Sequence, residues 1–348
     1  MAKSIVGLDF GHGVIRAAEV SPGGRQRPVL HRYHEVEVPV DAIREGVVAD
    51  TPAVVAALKW LWAVGGFSTK RVVLGMGSQQ VLIRELVLPS MPMAHLRETL
   101  AFRVQDMLPL PVEHAVLDYY PVEEVEHEGE PHLRGLLVAA TRESVAANTS
   151  AAAAAGLKVV DVDLIPFAVI RSHVDEDLAG VKVYLHVGAV STNVIVAERG
   201  VPQFVRMLPS GGNDLTAALA DRLGVRADRA DELKRRFGLV ADEEVPESRL
   251  TADVSAEAAR DLVQAVASTI AFYQNGHPED HVDGVVLSGG GAMLRGLSAE
   301  IAEHTGLPVT VSRPDGRFTV GARIDEPSFV AAGAAPAVAL GLTVGSAA

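Results

Sequence analysis

The sequence predicts a duplicated, two-lobed α/β fold with a cleft between the lobes and one inserted unit. Three observations predict it. The stretch "GLDFGHGVIRAAEVSPGGRQRPVLHRYHEVEV" near the start and "YLHVGAVSTNVIVAERGVPQFVRMLPSGG" from Tyr184 to Gly212 can be laid over one another so that Gly11 meets Gly188 and Asp9 meets His186. Each copy is followed by the same plan of helix, strand and helix, which indicates internal duplication. A strand–helix–strand–strand–helix run between 78 and 158 interrupts the first half only.

The elements follow in order. Residues 3–40 read as a meander of three strands: Val6, Leu8 and Phe10 begin a strand that breaks at Gly11-His12-Gly13, and a second turn falls at Gly23-Gly24. "TPAVVAALKWLWAVGGF" (51–67) is a helix with Pro52 in its first turn and Gly65-Gly66 at its end. "RVVLGM" (71–76) is a buried strand, and "VLIRELVLP" (81–89) alternates like one. A helix over 91–109 puts Leu96, Leu100, Val104 and Met107 near one face, more simply core than partner surface. "HAVLDYYPVEEV" and "LRGLLVAAT" form a hairpin around the acidic tip "EHEGEPH", and 142–158 is a helix closed by Gly156. After the second meander, with its turn at Gly200, come helices over 211–224, "RADELKRRFG" and 255–275. Strand, glycine loop, helix and strand follow in "VDGVVLSGGGAMLRGLSAEIAEHTGLPVTV". "FVAAGAAPAVALGL" closes the chain as one small-residue helix.

Composition narrows the function. The 348 residues are 48% hydrophobic, enough for two substantial cores, and contain no cysteine, which excludes disulfides and thiolate chemistry. A net charge of −13 argues against nucleic acid as a partner. No apolar run reaches the ~18 residues that span a bilayer. "MAKSIVGLDF" reads as a strand and not a signal peptide, and "AVALGLTVGSAA" has no charged amphipathic face to anchor on a membrane. The expectation is a soluble cytoplasmic protein. The twelve histidines show no helical spacing that suggests zinc.

Three loops carry candidate chemistry. The turn Gly11-His12-Gly13 exposes backbone N–H groups that can cradle phosphate, Asp9 at the strand end is the candidate Mg²⁺ ligand, and Arg16 adds positive charge; an ordinary hairpin turn is the alternative. Gly188-Ala189-Val190-Ser191 can grip the same phosphates from the other side, with Ser191, Thr192 and Asn193 adding hydroxyl and amide groups. In "LSGGGAML" the glycines permit close approach of a flat ligand before a helix N-terminus, although close helix–strand packing also accounts for them.

The order of these pieces resembles the actin-like ATPase superfamily. Within it, "STNVIVAERGVPQFVRMLPSGGNDLT", "LPSMPMAHLRETLAFRVQDMLPLPVEHAVLDYYPV" and "VVLSGGGAMLRGLSAEIAEHTGLPV" resemble the PilM family of type IV pilus assembly proteins, relatives of the FtsA family, over essentially the whole chain. The resemblance implies a bilobed actin-like (ribonuclease H-like, duplicated) fold. Subdomain 1A spans 1–77, completed by 159–180 and 329–348. The inserted 1C spans 78–158, 2A takes 181–212 and 277–328, and 2B takes 213–276. It implies ATP and Mg²⁺ as cofactors. Asp9, Gly11 and Gly13 would form the first phosphate loop and Gly188 to Thr192 the second. Gly211, Gly212 and Thr216 would lie near phosphate and metal, Asp231 and Lys234 at ribose and adenine, and Gly289, Gly290, Gly291 and Met293 along the adenine. Of the remaining "KRRF", the charges read as a solvated helix end. The implied partners are the cytoplasmic tail of a PilN-like inner-membrane protein, held in a groove beside 78–158 that "MLPLP" (107–111) would rim, and other pilus platform and motor proteins. Contact with the membrane's cytoplasmic face would be indirect, and a homo-oligomer or ring is compatible with it.

Two departures from that family pattern argue against catalysis. His186 stands where actin-like ATPases place an aspartate that organises Mg²⁺, and imidazole is a poor ligand for that hard cation. Ile165 stands before Pro166 where the heat-shock chaperones of this superfamily carry glutamate, and it cannot accept a proton. Asp231, in place of glutamate, also shortens the reach to the ribose. The reading is a scaffold whose degenerate cleft binds ATP weakly or not at all. The alternatives are an ATP-hydrolysing or ATP-switched protein, with Asp9 or a new base at His186 in the catalytic role, or a sugar kinase of the same fold. A kinase needs a catalytic aspartate near the second loop, and no convincing candidate stands there.

Overall fold

The first meander forms as the alternation predicts. β1 (Ile5–Gly11), β2 (Val14–Ser21) and β3 (Val29–Glu37) pair antiparallel, with Asp9 opposite Arg16 and Gly11 opposite Val14. The computed structural model describes residues 4–23, 27–77, 79–173 and 180–345. The expected turn residue Gly24, the boundary at Ser78 and parts of the 159–180 and 329–348 segments lie outside the described residues. A two-rung hairpin, β4 (Ile43–Arg44) and β5 (Val47–Val48), leads into α1 (Thr51–Gly65). Asp50 starts that helix by accepting from the Ala53 N–H at 3.0 Å, and Gly66 ends it in the left-handed region. β6 (Arg71–Met76) then runs parallel to β1.

The inserted unit is a three-stranded sheet of β7 (Val81–Pro89), β8 (Ala115–His127) and β9 (Glu130–Thr141) in the order β7-β9-β8. It is covered by α2 (Met93–Val104), which buries Leu96, Leu100 and Val104. The helix is shorter than the 91–109 the sequence suggested. It starts after Pro92 and tightens into a 3₁₀ turn at Gln105–Met107, because Pro109 biases the residue before it away from helix. Next, α3 (Arg142–Ala154) is capped by Thr141 and closed at Gly156. It packs Ala151 and Ala152 into the first lobe's core, in one cluster with Leu58 and Leu61 of α1.

β10 (Lys158–Leu164) completes the first sheet beside β6 and feeds α4 (Ile165–His173). The second lobe repeats the scheme. β11 (Val181–Val187), β12 (Thr192–Glu198) and β13 (Val201–Leu208) form its meander, followed by α5 (Gly212–Leu223), α6 (Ala227–Phe237) and α7 (Pro246–Gly276). β14 (Val282–Ser288), α8 (Leu297–Thr305) and β15 (Val309–Val311) close it. The strand orders β10-β6-β1-β2-β3 and β15-β14-β11-β12-β13 are the same topology, and β16 (Thr319–Val320) adds an edge to the first sheet.

Two further sequence expectations are corrected. α7 begins at Pro246, not at 255, because its first two turns bury small polar residues, Ser248 and Thr251. Their hydroxyls donate to the Val245 and Glu247 carbonyls, so the stretch carries no apolar stripe. The closing helix is two short ones, α9 (Glu326–Ala331) and α10 (Ala337–Gly341), broken by Gly333 at φ 55° and by Pro336. α10 lies against β1 and α4 so closely that a Cβ on Gly7 would run into the Ala339 carbonyl. Between the lobes, Leu136, Phe167, Ile195, Val205 and Val338 share one apolar cluster. Among the described residues no helix is long and apolar enough to cross a membrane.

Candidate functional site

The β1–β2 ladder sets the first half of the site. Asp9 is 6% exposed and faces Arg16 across the ladder, with Nη1 3.7 Å from Oδ2. Arg16 is held from the other side by Glu35 on β3, Nε to Oε2 at 3.1 Å, and the Tyr33 hydroxyl donates to the same oxygen. Burial pushes the Asp9 carboxyl up, and the charge and hydrogen bonding of Arg16 hold it partly back. A Cβ on Gly11 would come within 3.2 Å of Arg16 Nη1, so the guanidinium lies against the glycine turn. Gly13 has φ 72°, which favours glycine there, and Nδ1 of His12 is buried without a hydrogen-bond partner.

The β11–β12 ladder repeats this geometry with different chemistry. His186 faces Asn193 where the first lobe has Asp9 facing Arg16. His186 Nδ1 sits 3.1 Å from the Ser288 hydroxyl, and its Cε1 would lie 3.1 Å from a Cβ on Gly289. Burial, with the nearby charges of His173 and Arg16, pushes this imidazole down to about 3. It is therefore neutral at physiological pH. Asn193 is 2% exposed, and its Oδ1 has no partner.

The second loop is folded onto α5. The Gly188 N–H donates to the Ser191 carbonyl at 2.9 Å, while the Gly188 and Ala189 carbonyls accept from the N–H groups of Gly212 and Asn213 at 2.9 and 2.8 Å. Gly211 donates its N–H to Asp214, and the Thr192 hydroxyl donates to the Ser210 carbonyl. The first N–H groups of α5 are thus engaged within the fold.

Thr216, Asp231 and Lys234 come together as one cluster. Lys234 Nζ donates to the Gly212 carbonyl at 3.1 Å and to Thr216 Oγ1 at 2.7 Å, and pairs with Asp231 at 2.6 Å; Asp231 also pairs with Arg235 at 2.6 Å. Burial acts to raise the Asp231 carboxyl, but hydrogen bonds from Lys234 and Arg235 win and hold it below its ordinary value. The three donors of the Lys234 ammonium all have protein acceptors.

The glycine loop departs from its expected geometry. Gly290–Met293 is a 3₁₀ turn, and α8 starts only at Leu297, so no α-helix N-terminus follows the glycines directly. Gly289 (φ 83°) and Gly291 are packed against β11, whereas a Cβ on Gly290 would meet nothing within 4 Å. Met293, 52% exposed, lies beside Gly333. Ile165 fills the space left by Gly75 and Gly77, where Cβ atoms would stand 3.1 and 2.8 Å from its side chain.

These residues do not fit Mg²⁺. That ion wants near-octahedral oxygen ligands, but Asp9 is paired with Arg16 and its counterpart is the His186 imidazole. Among the described residues no three His, Asp or Glu side chains gather into a ligand set. Arg16 is held between Asp9 and Glu35, His12 Nδ1 and Asn193 Oδ1 have no hydrogen-bond partner, and Gly290 leaves open space in the same turn as Met293. The sequence readings missed Ser288 and Glu35 as partners of the site. Strand alternation one rung from the glycine loop and one strand from Arg16 was the only signal for them.

The comparisons agree with this architecture. A family model described as type IV pilus assembly protein PilM matches residues 7–347. The cell division protein FtsA of Neisseria meningitidis serogroup B is 26% identical over 193 residues. That alignment takes 50% of this chain and 46% of the relative, so the chain spans about half the length of the curated relative it matches. Among solved structures, a PilM–PilN type IV pilus biogenesis complex superposes with a TM-score of 0.87 at 26% identity, over 99% of this chain and 98% of that one. The ethanolamine utilization protein EutJ from Carboxydothermus hydrogenoformans (TM-score 0.58, 15% identity, 99% and 90% covered) has the same fold. So does MreB5 of Spiroplasma citri bound to ADP (0.59, 13%, 98% and 95%). The fold is the bilobed actin-like one, and with a family match running over nearly its whole length, the chain belongs to the type IV pilus assembly protein PilM family.

Proposed function

We propose that this pilus assembly protein is a scaffold that binds the cytoplasmic tail of a PilN-like inner-membrane protein in a groove beside 78–158, and that its cleft does not hydrolyse ATP. The observation that carries the first half is the likeness, over nearly the whole of both chains, to a PilM–PilN complex. The second half rests on His186 and Ile165. Phosphoryl transfer depends on positioning and charge neutralisation, and here a neutral imidazole and an alkyl side chain stand where metal and water would be organised. The division into 1A, 1C, 2A and 2B, a location at the membrane's cytoplasmic face through the partner, and contacts with other platform proteins belong to the same proposal.

Titration of the purified protein with a synthetic PilN-like tail peptide tests the first half. Binding that is lost on changing residues rimming the groove, such as Leu108→Asp, is expected. No measurable binding, with or without nucleotide, would sink it. Sustained Mg²⁺-dependent phosphate release that disappears in Asp9→Ala would sink the second half.

A further inference from the structure

We propose that one corner of the first lobe, where the last turns of α1 meet the first residues of β6 and β10, rests directly on an anionic phospholipid surface. This goes beyond the scaffold reading, which brings the chain to the membrane only through a partner's tail.

α1 is the starting point. Lys59 is the only charged residue among its 15, and the helix buries Val54, Leu58 and Leu61 in the lobe's core. On its outer side, Lys59 with Ala63 and Trp60 with Val64 form two exposed i, i+4 rows next to one another. Trp60 is 61% exposed and Val64 41%. A tryptophan beside an aliphatic side chain and a long lysine stem suits a bilayer interface, where the ring sits at headgroup level and the ammonium reaches water.

The loop after α1 folds back onto the helix, since the Trp62 indole N–H donates to the Thr69 carbonyl at 3.0 Å. It delivers Lys70 and Arg71 to the same corner. Lys158 enters β10 beside Arg71, and its N–H donates to the Lys70 carbonyl at 2.7 Å. Lys59, Lys70, Arg71 and Lys158 are exposed, and among the described residues none of these four side chains has an ion-pair partner. Two acids lie near. Glu19 is buried and accepts from the Ser4 hydroxyl and the Ser68 N–H, while Asp161 accepts from the Val162 N–H at 2.8 Å. The cations come from three separate segments with no shared acceptor. That spread suits a field of headgroups better than one bidentate partner.

With a net charge of −13 the whole molecule is repelled by an anionic surface, so attraction has to be local. Salt screens charges beyond about 8–10 Å, which leaves the corner's own cations to decide. The fold does not require them. β14 runs parallel to β11 as β6 does to β1, and the residues around its start are Glu279, Asp280 and Asp283. The corner also lies at the opposite end of β6 from the insert, which follows Met76, so a tail bound beside 78–158 and a bilayer under Arg71 do not compete.

The test is sedimentation of the full chain, without tail peptide, with vesicles of equal parts phosphatidylglycerol and phosphatidylcholine, and with vesicles of phosphatidylcholine alone. Binding to the first that weakens as salt rises, and none to the second, is expected. Brominated lipid should quench the tryptophan fluorescence of the wild type, and the quenching should largely vanish in Trp60→Phe, which leaves Trp62 as the only tryptophan. Lys70→Gln with Lys158→Gln is expected to weaken vesicle binding about fivefold for each cation removed. Arg249→Gln with Arg260→Gln, exposed on α7, changes the net charge equally and should leave binding as it was. No binding to the anionic vesicles at low salt, or equal weakening by the two double variants, would overturn the proposal. So would a Lys70→Gln, Lys158→Gln variant that loses tail-peptide affinity where wild type binds no vesicle, since the corner would then serve an acidic protein segment. Tail-peptide titration of the same wild-type sample keeps the two readings apart: vesicle binding without peptide binding sinks the scaffold, and peptide binding without vesicle binding sinks only the bilayer contact.

Discussion

Arg134 of the inserted sheet donates to Gln203 of the second lobe, Nη2 to Oε1 at 2.7 Å, while its other nitrogens reach Glu123 at 2.7 Å and Glu85 at 3.2 Å. The two glutamates are about half exposed and lose little without it. Gln203 is 6% exposed, so its carbonyl would lose its partner away from water. Arg134→Ala is therefore expected to cost about 1–3 kcal/mol, and to raise hydrogen exchange in β9 and β13 together. Denaturant unfolding with exchange measurements checks this; exchange rising in β9 alone would mean that the residue does not tie the lobes.

A second tie lies inside the first lobe. Asn148 of α3, fully buried, accepts from the Val48 N–H at 2.9 Å and donates to the Gly46 carbonyl at 2.8 Å. Asn148→Ala leaves both backbone groups unpaired and is expected to destabilise the protein by about 2 kcal/mol. Asn148→Asp keeps the acceptor and loses the donor, and should also bury a charge. Urea midpoints check this, with both variants expected below wild type.

Acid should weaken the fold through His186. Its folded pKa lies near 3, against an ordinary 6.5 in the unfolded chain. The unfolded chain therefore binds the extra proton between those values. The stabilising contribution is full above about pH 6.5 and is lost as pH falls towards 3. Asp9 works the other way: burial raises its carboxyl despite Arg16, so the folded chain takes a proton above the ordinary carboxylate range. His186→Gln is expected to flatten the fall in melting temperature between about pH 6.5 and 4.5. An unchanged profile would mean that the imidazole is more solvated than the structure places it.

Two glycines of the cleft should respond differently. A Cβ on Gly211 would stand 2.6 Å from the Gly188 carbonyl oxygen and 2.7 Å from that of Ala189, both backbone atoms with little room to move. Gly211→Ala is expected to cost about 1–3 kcal/mol as an overpacked contact. Gly290→Ala meets open space and should be near neutral in stability. Thermal unfolding of the pair checks this, and a Gly290→Ala variant that nevertheless loses nucleotide binding would place the ligand on that ledge.

Much of this was legible in the sequence, and the reasons differ by element. The duplicated meanders stood out because strand alternation and glycine turns are local signals, and the ladders do set Asp9 and His186 at matching positions. The start of α7 was hidden because Ser248, Thr251 and Ser255 are buried polar residues that hydropathy reads as exposed. The break at Gly333 looked tolerable inside an alanine-rich run until the approach of Met293 and its positive φ were seen. The cleft was harder. That Lys234 answers Asp231, Thr216 and the Gly212 carbonyl, and that Arg16 leans on Asp9, are facts of side-chain direction between separate segments, which spacing does not encode.

The packing of α10 on β1 bears on how the chain is made. The second lobe's sheet, β11 to β15, lies within 181–311 and pairs only within itself. The first lobe is different: Ala18, Val20 and Leu30 near its start share a cluster with Ala339 and Leu340, and Gly7 touches Ala339. On a ribosome, where domains generally form as they emerge, this first lobe cannot close until the residues after 336 have left the tunnel. The half synthesised second is thus free to fold first. The strands made earliest, β1 and β2 with their Asp9 and Arg16, must wait unsheltered longest, and in that interval chaperone capture is to be expected.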